Sequence, residues 1–307
     1  MVRACAPRRP AQAEGVSPRV SVVLPTCDRA SLLPRAVASV LAQDLADWEL
    51  IVIDSNRTTP PVREIFAGAA WLSDPRVVVL PAGAAHNAAA VRNVGLEHAG
   101  SAWVTYLDDD DAFLPGKLSR QWRCAEAAGA SVVLCGAEFH LRGRRRRVQC
   151  DASVWRGDDL LLRARWNTPL LFHRRTSLRF DERLSSGEDA EFAHRLLAAS
   201  GADHVPNVPA PLVAIHPQPG PRVNRNAEPM LQAAESILAL RPDGYSAGAR
   251  ARFLTQTRLG VAKLRGERDT VLRLAAALLW RSGGRDWRAA ANAVATVLGV
   301  LPGRWVS

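Results

Sequence analysis

The chain of 307 residues can bury a substantial core in one large domain or two, and a content of 48% apolar and 23% charged residues excludes a disordered protein. Its net charge of +10 is carried by arginine, since Lys117 and Lys263 are the two lysines, and favours anionic partners such as nucleotides or phospholipid headgroups. Five cysteines, an odd number with no CxxC pair, argue against a disulfide framework or a zinc site and fit a reducing cytoplasm.

Residues 1–18 are rich in Arg, Pro and Ala, lack the apolar core of a signal peptide, and read as a disordered tail. Val20–Leu24 is a continuous apolar run ended by Pro25, the pattern of a strand buried on both faces. Leu33, Val37, Val40 and Leu41 then recur at helical spacing, with Ser31 as candidate N-cap. A second strand, Glu49–Asp54, a helix from Pro60-Pro61, a third strand at Arg76–Leu80 and a helix through Val91, Val94 and His98 follow. The fourth strand, beginning at Val104, runs into four consecutive carboxylates, Asp108 to Asp111. Four like charges are not tolerated inside a sheet, so they belong beyond the strand's end. Strands alternating with helices predict a parallel, doubly wound sheet with ligands at the carboxyl ends of the strands, where Asp54 and the acid run fall. Clustered oxygen ligands suit Mg²⁺ or Mn²⁺ completed by substrate phosphates. The other reading is a solvated turn in which Asp110 or Asp111 caps the next helix, and the local pattern leaves both open.

Further on, the pattern predicts a helix at Lys117–Ala128, a strand at Ser131–His140, a basic hairpin tip at Arg142–Arg147, and a helix at Asp158–Arg165. Ser185-Ser-Gly-Glu188 fits a capping box opening another helix. Pro206–Pro221 reads as a boundary, and the remainder is helical, with breaks at Arg241–Gly244 and Ser282–Gly284.

Val20–Arg29, Gln43, Glu49–Asp54, Val91–Gly95, Leu107–Asp111 and Gly187–Phe192 occur in the order and spacing of one family. Over about residues 19 to 220 the chain resembles the family 2 glycosyltransferases with the GT-A fold. The resemblance implies an α/β sandwich, Rossmann-like, with a C-terminal helical extension. The implied domains are 19–225, nucleotide and metal in 19–115 and acceptor in 116–225, followed by helices over 226–307. The implied activity is inverting transfer of a sugar from a nucleotide sugar, with a divalent metal, Mn²⁺ or Mg²⁺, on the leaving diphosphate. The family's D-x-D acids fall on Asp108 and Asp110, with Asp110 as principal ligand, while Asp109 and Asp111 could instead bind donor hydroxyls or cap the following turn. Arg92 matches a position beside the donor, and Pro25, Thr26, Asp28, Arg29 and Asp54 line its nucleotide side. Asp189 matches the family's catalytic base, leaving Glu188 to cap the helix, and His216 lies where some GT-A enzymes place a further metal ligand.

A UDP-sugar is the implied donor, although Cys27 stands where the family often has an aromatic residue and Ser55 where it often has a second acid, which leaves the nucleobase open. A glycan, lipid-linked or small-molecule acceptor is expected, and the arginine run suits an anionic one. The run lacks interleaved aromatics, which argues against nucleic acid. Val271–Trp280 and Ala289–Leu301 are too short to span a bilayer but suit its surface, so the expected location is cytoplasmic and peripheral to the inner face of the membrane. One rival is a nucleotide-sugar-binding scaffold that has lost turnover, which Cys27 and Ser55 permit. A nucleotidyltransferase fits less well, because Pro25–Arg29 has no glycine to cradle phosphate.

Overall fold

The first strand, β1 (Val20–Thr26), continues through Pro25, because its pairing with the neighbouring strand on one side ends at Val23 and the missing N–H leaves no ladder bond unmade. This structure, a computed structural model, describes residues 18–141, 143–218 and 227–281, together with 286, 290, 291 and 294. After β1 come α1 (Leu33–Leu41), β2 (Trp48–Asp54), α2 (Val62–Ile65), β3 (Val77–Pro81), α3 (Ala88–His98), β4 (Trp103–Tyr106), β5 (Ala112–Phe113) and α4 (Lys117–Ala128). The second half contains β6 (Val132–Leu141), β7 (Arg144–Val148), β8 (Val154–Arg156), α5 (Asp158–Leu162), β9 (Phe172–Arg174), α6 (Glu188–Ser200) and β10 (His204–Ile215). Helices α7 (Ala227–Leu240), α8 (Ala247–Arg265) and α9 (Arg268–Arg281) follow.

The strands form one sheet in the order β3-β2-β1-β4-β9-β6-β10-β5, with β7 on β6 and β8 on β10. β1 to β4 are mutually parallel, as their alternation with helices predicts, and β1 is flanked by β2 and β4. The whole sheet is not parallel: β9 runs antiparallel to both β4 and β6. Its three residues follow directly on a short turn of helix at Thr168–Leu170. Along β1 and β2, Val22, Leu24, Leu50 and Val52 face one core, against α1 and α4, while Val23, Ile51 and Ile53 face the other. Both faces are covered, which is why these strands read as continuous apolar runs. On the second face α3 comes very close to β1, because a Cβ at Gly95 would collide with the Val23 side chain.

Several local expectations are corrected. Ser31 does not cap α1; Leu32 is the N-cap, without a side-chain bond, and a proline sits in the first turn. Arg144–Arg147 are no hairpin tip but β7 itself, antiparallel to β6 with its arginines exposed, while Arg142 lies outside the described residues. The helix expected over 158–165 ends at Leu162. The proline-rich stretch is not a boundary, since β10 runs through its first half and pairs with β6, β5 and β8. Its register with β6 shifts on both sides of Pro211, and such irregularities are where a sheet accepts residues without an N–H. The break expected at Arg241–Gly244 separates α7 from α8, whereas that at Ser282–Gly284 lies outside the described residues. No described helix is long and apolar enough to cross a membrane. Trp280 on α9 is 82% exposed, and Trp287 and Trp305 are outside the described residues.

Two buried histidines tie these layers together in their neutral forms. His173 on β9 donates from Nδ1 to the Arg174 carbonyl at 2.7 Å and accepts from the Tyr106 hydroxyl at 2.9 Å. His194 on α6 meets the hydroxyl of Tyr245, in the α7–α8 turn, at 3.0 Å. Burial pushes their pKa values down to about 4 and about 3. An unfolded histidine takes up its proton near pH 6.5, so between that pH and the folded value the unfolded state binds more protons. Stability is therefore expected to fall by roughly 3 kcal/mol per histidine as pH drops from about 6.5 to about 4. Denaturant titrations of the wild type and His173→Gln across this range check it; identical slopes in the two proteins would refute the assignment to His173.

Candidate active site

The carboxyl ends of β2, β1 and β4 lie side by side, and each opens into a polar loop. Beyond β4, the side chains of the acid run divide. Asp109 turns inward, is fully buried, accepts from Thr26 Oγ1 at 2.8 Å and pairs with Arg29 at 2.5 Å. Burial raises its pKa to about 6, opposed by the charge of Arg29 and the bond from Thr26. Asp108, Asp110 and Asp111 instead converge, with one carboxylate oxygen from each lying within 4.8 Å of the others. Burial, and then the charges of Asp108 and Asp110, push Asp111 well above the usual carboxylate range. Three hard oxygen donors at this spacing fit a divalent cation such as Mg²⁺ or Mn²⁺. Neither Asp110 nor Asp111 caps α4, whose N-cap is the left-handed Gly116.

Two arginines flank Asp110. Arg29 reaches its carboxylate at 3.2 Å, and the Arg35 guanidinium donates to its carbonyl. His216, just past β10, donates its backbone N–H to Asp111 at 2.9 Å. The imidazole packs at a tilt against that of His140, with ring centroids 4.5 Å apart, and its buried Nδ1 has no hydrogen-bond partner. It is not among the three converging ligands, although it borders them.

Asp28 and Asp54, the acids expected on the nucleotide side, brace a loop. Asp28, with a left-handed φ of 52°, accepts from the backbone N–H groups of Thr58, Arg57 and Thr59, which hold it well below the usual carboxylate range. Asp54 accepts from the N–H of Asn56 at 3.1 Å and of Val62 at 2.6 Å. Between them Ser55 donates its hydroxyl to the Thr26 carbonyl at 2.7 Å, and Cys27 is exposed. Pro25, at the end of β1, adjoins this loop.

Arg92, buried on α3, joins the acid run to the start of α6. Its guanidinium pairs with Asp108 at 3.0 Å and with the buried Glu188 at 3.1 Å, while its Nε has no partner. Glu188 is thus an ion-pair partner and not a helix cap; α6 is capped by Gly187, which offers no side chain. Next along, Asp189 accepts from the N–H of Ala190 at 2.8 Å. Burial, then the charge of Glu188, raises its pKa to about 7. Asn93 clamps the intervening loop by bonding the N–H and carbonyl of Phe180 and the Glu182 carboxylate. Arg92 thus links Asp108, and through it the converging Asp110 and Asp111, to the start of α6, where Asp189 lies close enough to feel the charges of Arg92 and Asp108. Sequence reasoning missed Glu188 as the partner of Arg92, Asp111 as a converging ligand, and Arg35, which has no local signature at all.

The sequence model described as Glycosyl transferase family 2 matches residues 21–183. The succinoglycan biosynthesis protein ExoO of Rhizobium meliloti is 30% identical over 204 residues, 60% of this chain and 57% of that protein. An Escherichia coli protein, UDP-Glc:alpha-D-GlcNAc-diphosphoundecaprenol beta-1,3-glucosyltransferase WfgD, is 33% identical over 105 residues, 33% of this chain and 39% of its own. This chain thus spans little more than half the length of these relatives, or less. Residues 1–349 of S. aureus TarS, crystallised with UDP-GlcNAc, superpose with a TM-score of 0.64 at 16% identity, covering 92% of both chains.

Proposed function

The chain belongs to glycosyl transferase family 2 and has the GT-A fold, and from that premise we propose that it transfers a sugar from a UDP-sugar to an acceptor hydroxyl with inversion. The reading is supported by Arg92, whose two ion pairs tie the acid run to the start of α6. A nucleoside diphosphate is the leaving group that three converging carboxylates on the β4 loop suit. A UDP-sugar donor is supported by the substrate in the name of WfgD and the ligand in the TarS crystal. A lipid-linked diphosphate acceptor is supported by the acceptor in the name of WfgD.

In this mechanism residues 19–115 hold the donor, 116–225 present the acceptor, and the helices from 226 form the appended region. Asp28 and Asp54 shape the loop that walls the nucleoside, and Thr26 and Arg29 fix Asp109 beneath the diphosphate. A divalent metal held by Asp108, Asp110 and Asp111 would act as a Lewis acid on the departing diphosphate. Arg92 orients Asp108 and holds Glu188 at the start of α6. Asp189 takes the proton of the acceptor hydroxyl as that oxygen attacks the anomeric carbon, with no covalent intermediate.

Calorimetric titration with a panel of UDP-sugars, with and without Mn²⁺, tests the donor half. Asp110→Ala is expected to weaken metal-dependent binding by about tenfold or more, the equivalent of about 1.4 kcal/mol. Metal-independent binding of equal strength in both proteins would overturn the assignment.

A further inference from the structure

A cavity of about 270 Å³ opens beside Asp189. Trp166, Ile237 from α7 and Phe253 from α8 give it an apolar wall, and Asp189, Arg165 and Asn167 supply its polar lining. The appended helices thus close the space that an acceptor must occupy to present a hydroxyl to Asp189.

Arg165 is the unusual member. Its backbone N–H is anchored by Gln149 Oε1 at 2.6 Å, yet its half-buried guanidinium has neither hydrogen bond nor ion pair among the described residues. Arg163, two positions earlier, pairs with Asp151 at 2.8 Å and Asp159 at 3.0 Å. Acids are therefore present on this surface, but none is directed at Arg165. The charge it does feel is that of Arg146 on β7, which adds to burial in lowering its pKa. A partly desolvated cation facing a second cation is unfavourable until an anion joins them. A planar guanidinium matches the paired oxygens of phosphate or carboxylate.

We infer that this cavity is the acceptor subsite for a sugar carrying an oxyanion, with the sugar against the Trp166 and Phe253 wall, its hydroxyl at Asp189 and its oxyanion on Arg165. The inference rests on the transferase reading above and adds the cavity that takes the acceptor and the residue, Arg165, that meets its charge. The oxyanion is either a phosphate ester at the sugar's anomeric carbon or the carboxylate of a uronic acid, and Arg165 serves both in the same way.

The test uses the full chain with UDP present and three probes differing in charge: octyl glucoside, octyl glucuronide and the octyl ester of glucose 1-phosphate. At least one anionic probe is expected to bind about tenfold or more tighter than the neutral one, as a hydrogen-bonded charge pair allows. Which of the two is preferred identifies the oxyanion. Arg165→Gln should abolish the preference, and Arg165→Lys should retain part of it. A wild type that binds UDP-sugars but shows no preference for either anionic probe overturns this inference alone. So does an Arg165→Gln protein that keeps the wild-type ratio. A wild type that binds no UDP-sugar would instead overturn the transferase reading. The wild-type ratio and the lysine variant keep the test decisive if Arg165→Gln fails to fold.

Discussion

Asp189→Asn is expected to lower the turnover of sugar transfer by about a thousandfold, within the range for losing a general base, while the donor binds as before. Asparagine preserves size and one acceptor oxygen but cannot take a proton. Asp189 lies in the first turn of α6, where helix polarity favours a carboxylate, yet burial and Glu188 raise its pKa to about 7. It must be ionised to act, so kcat/KM for the wild type should rise with pH up to about 7 and level off above it. The asparagine variant should lose this rise along with its rate. Undiminished transfer by Asp189→Asn would remove the residue from the mechanism.

Arg92→Met is expected to destabilise the fold by about 3 to 5 kcal/mol, the usual consequence of removing one partner from a buried ion pair. Glu188 would be left buried without its partner, and Asp108 would lose its hold on α3. Adding Glu188→Gln should restore part of the loss by replacing the stranded carboxylate with an amide. Denaturant unfolding of the wild type, the single variant and the double variant measures this. A single-variant loss below about 1 kcal/mol, typical of an exposed pair, would mean that Arg92 is not the link described.

The first strands and the acid run were legible because their signals are local. β1, β2 and β4 announce themselves as apolar runs, and an acid run cannot lie within a sheet, so its place at the end of β4 followed from residues adjacent in the chain. What escaped depended on distant partners. Ser185-Ser-Gly-Glu188 has the letters of a capping box, but the carboxylate of Glu188 goes to Arg92, almost a hundred positions away, and local pattern holds no record of that choice. Asp109 and Asp111 were indistinguishable by sequence. Thr26 and Arg29 draw the first inward, and the backbone of His216 holds the second beside Asp108 and Asp110. The prolines of β10 pointed to a boundary because the register shifts that admit them appear only once β6 is alongside.

Gly187 ties the proposed chemistry to the C-terminal helices. Its φ of 81° is one that other residues rarely adopt, and a side chain there would meet the Cβ of Ala233 on α7 at 2.9 Å. The family match ends at residue 183, so neither Gly187 nor the helix backing it lies within the matched segment. A shortened protein cut after β10 would keep Asp28, Asp54 and the acid run but remove the buttress behind the turn that carries Asp189. Expression clones made to test the proposed chemistry should therefore retain α7, and swaps of this region between relatives would transplant the footing of Asp189 together with the surface around it.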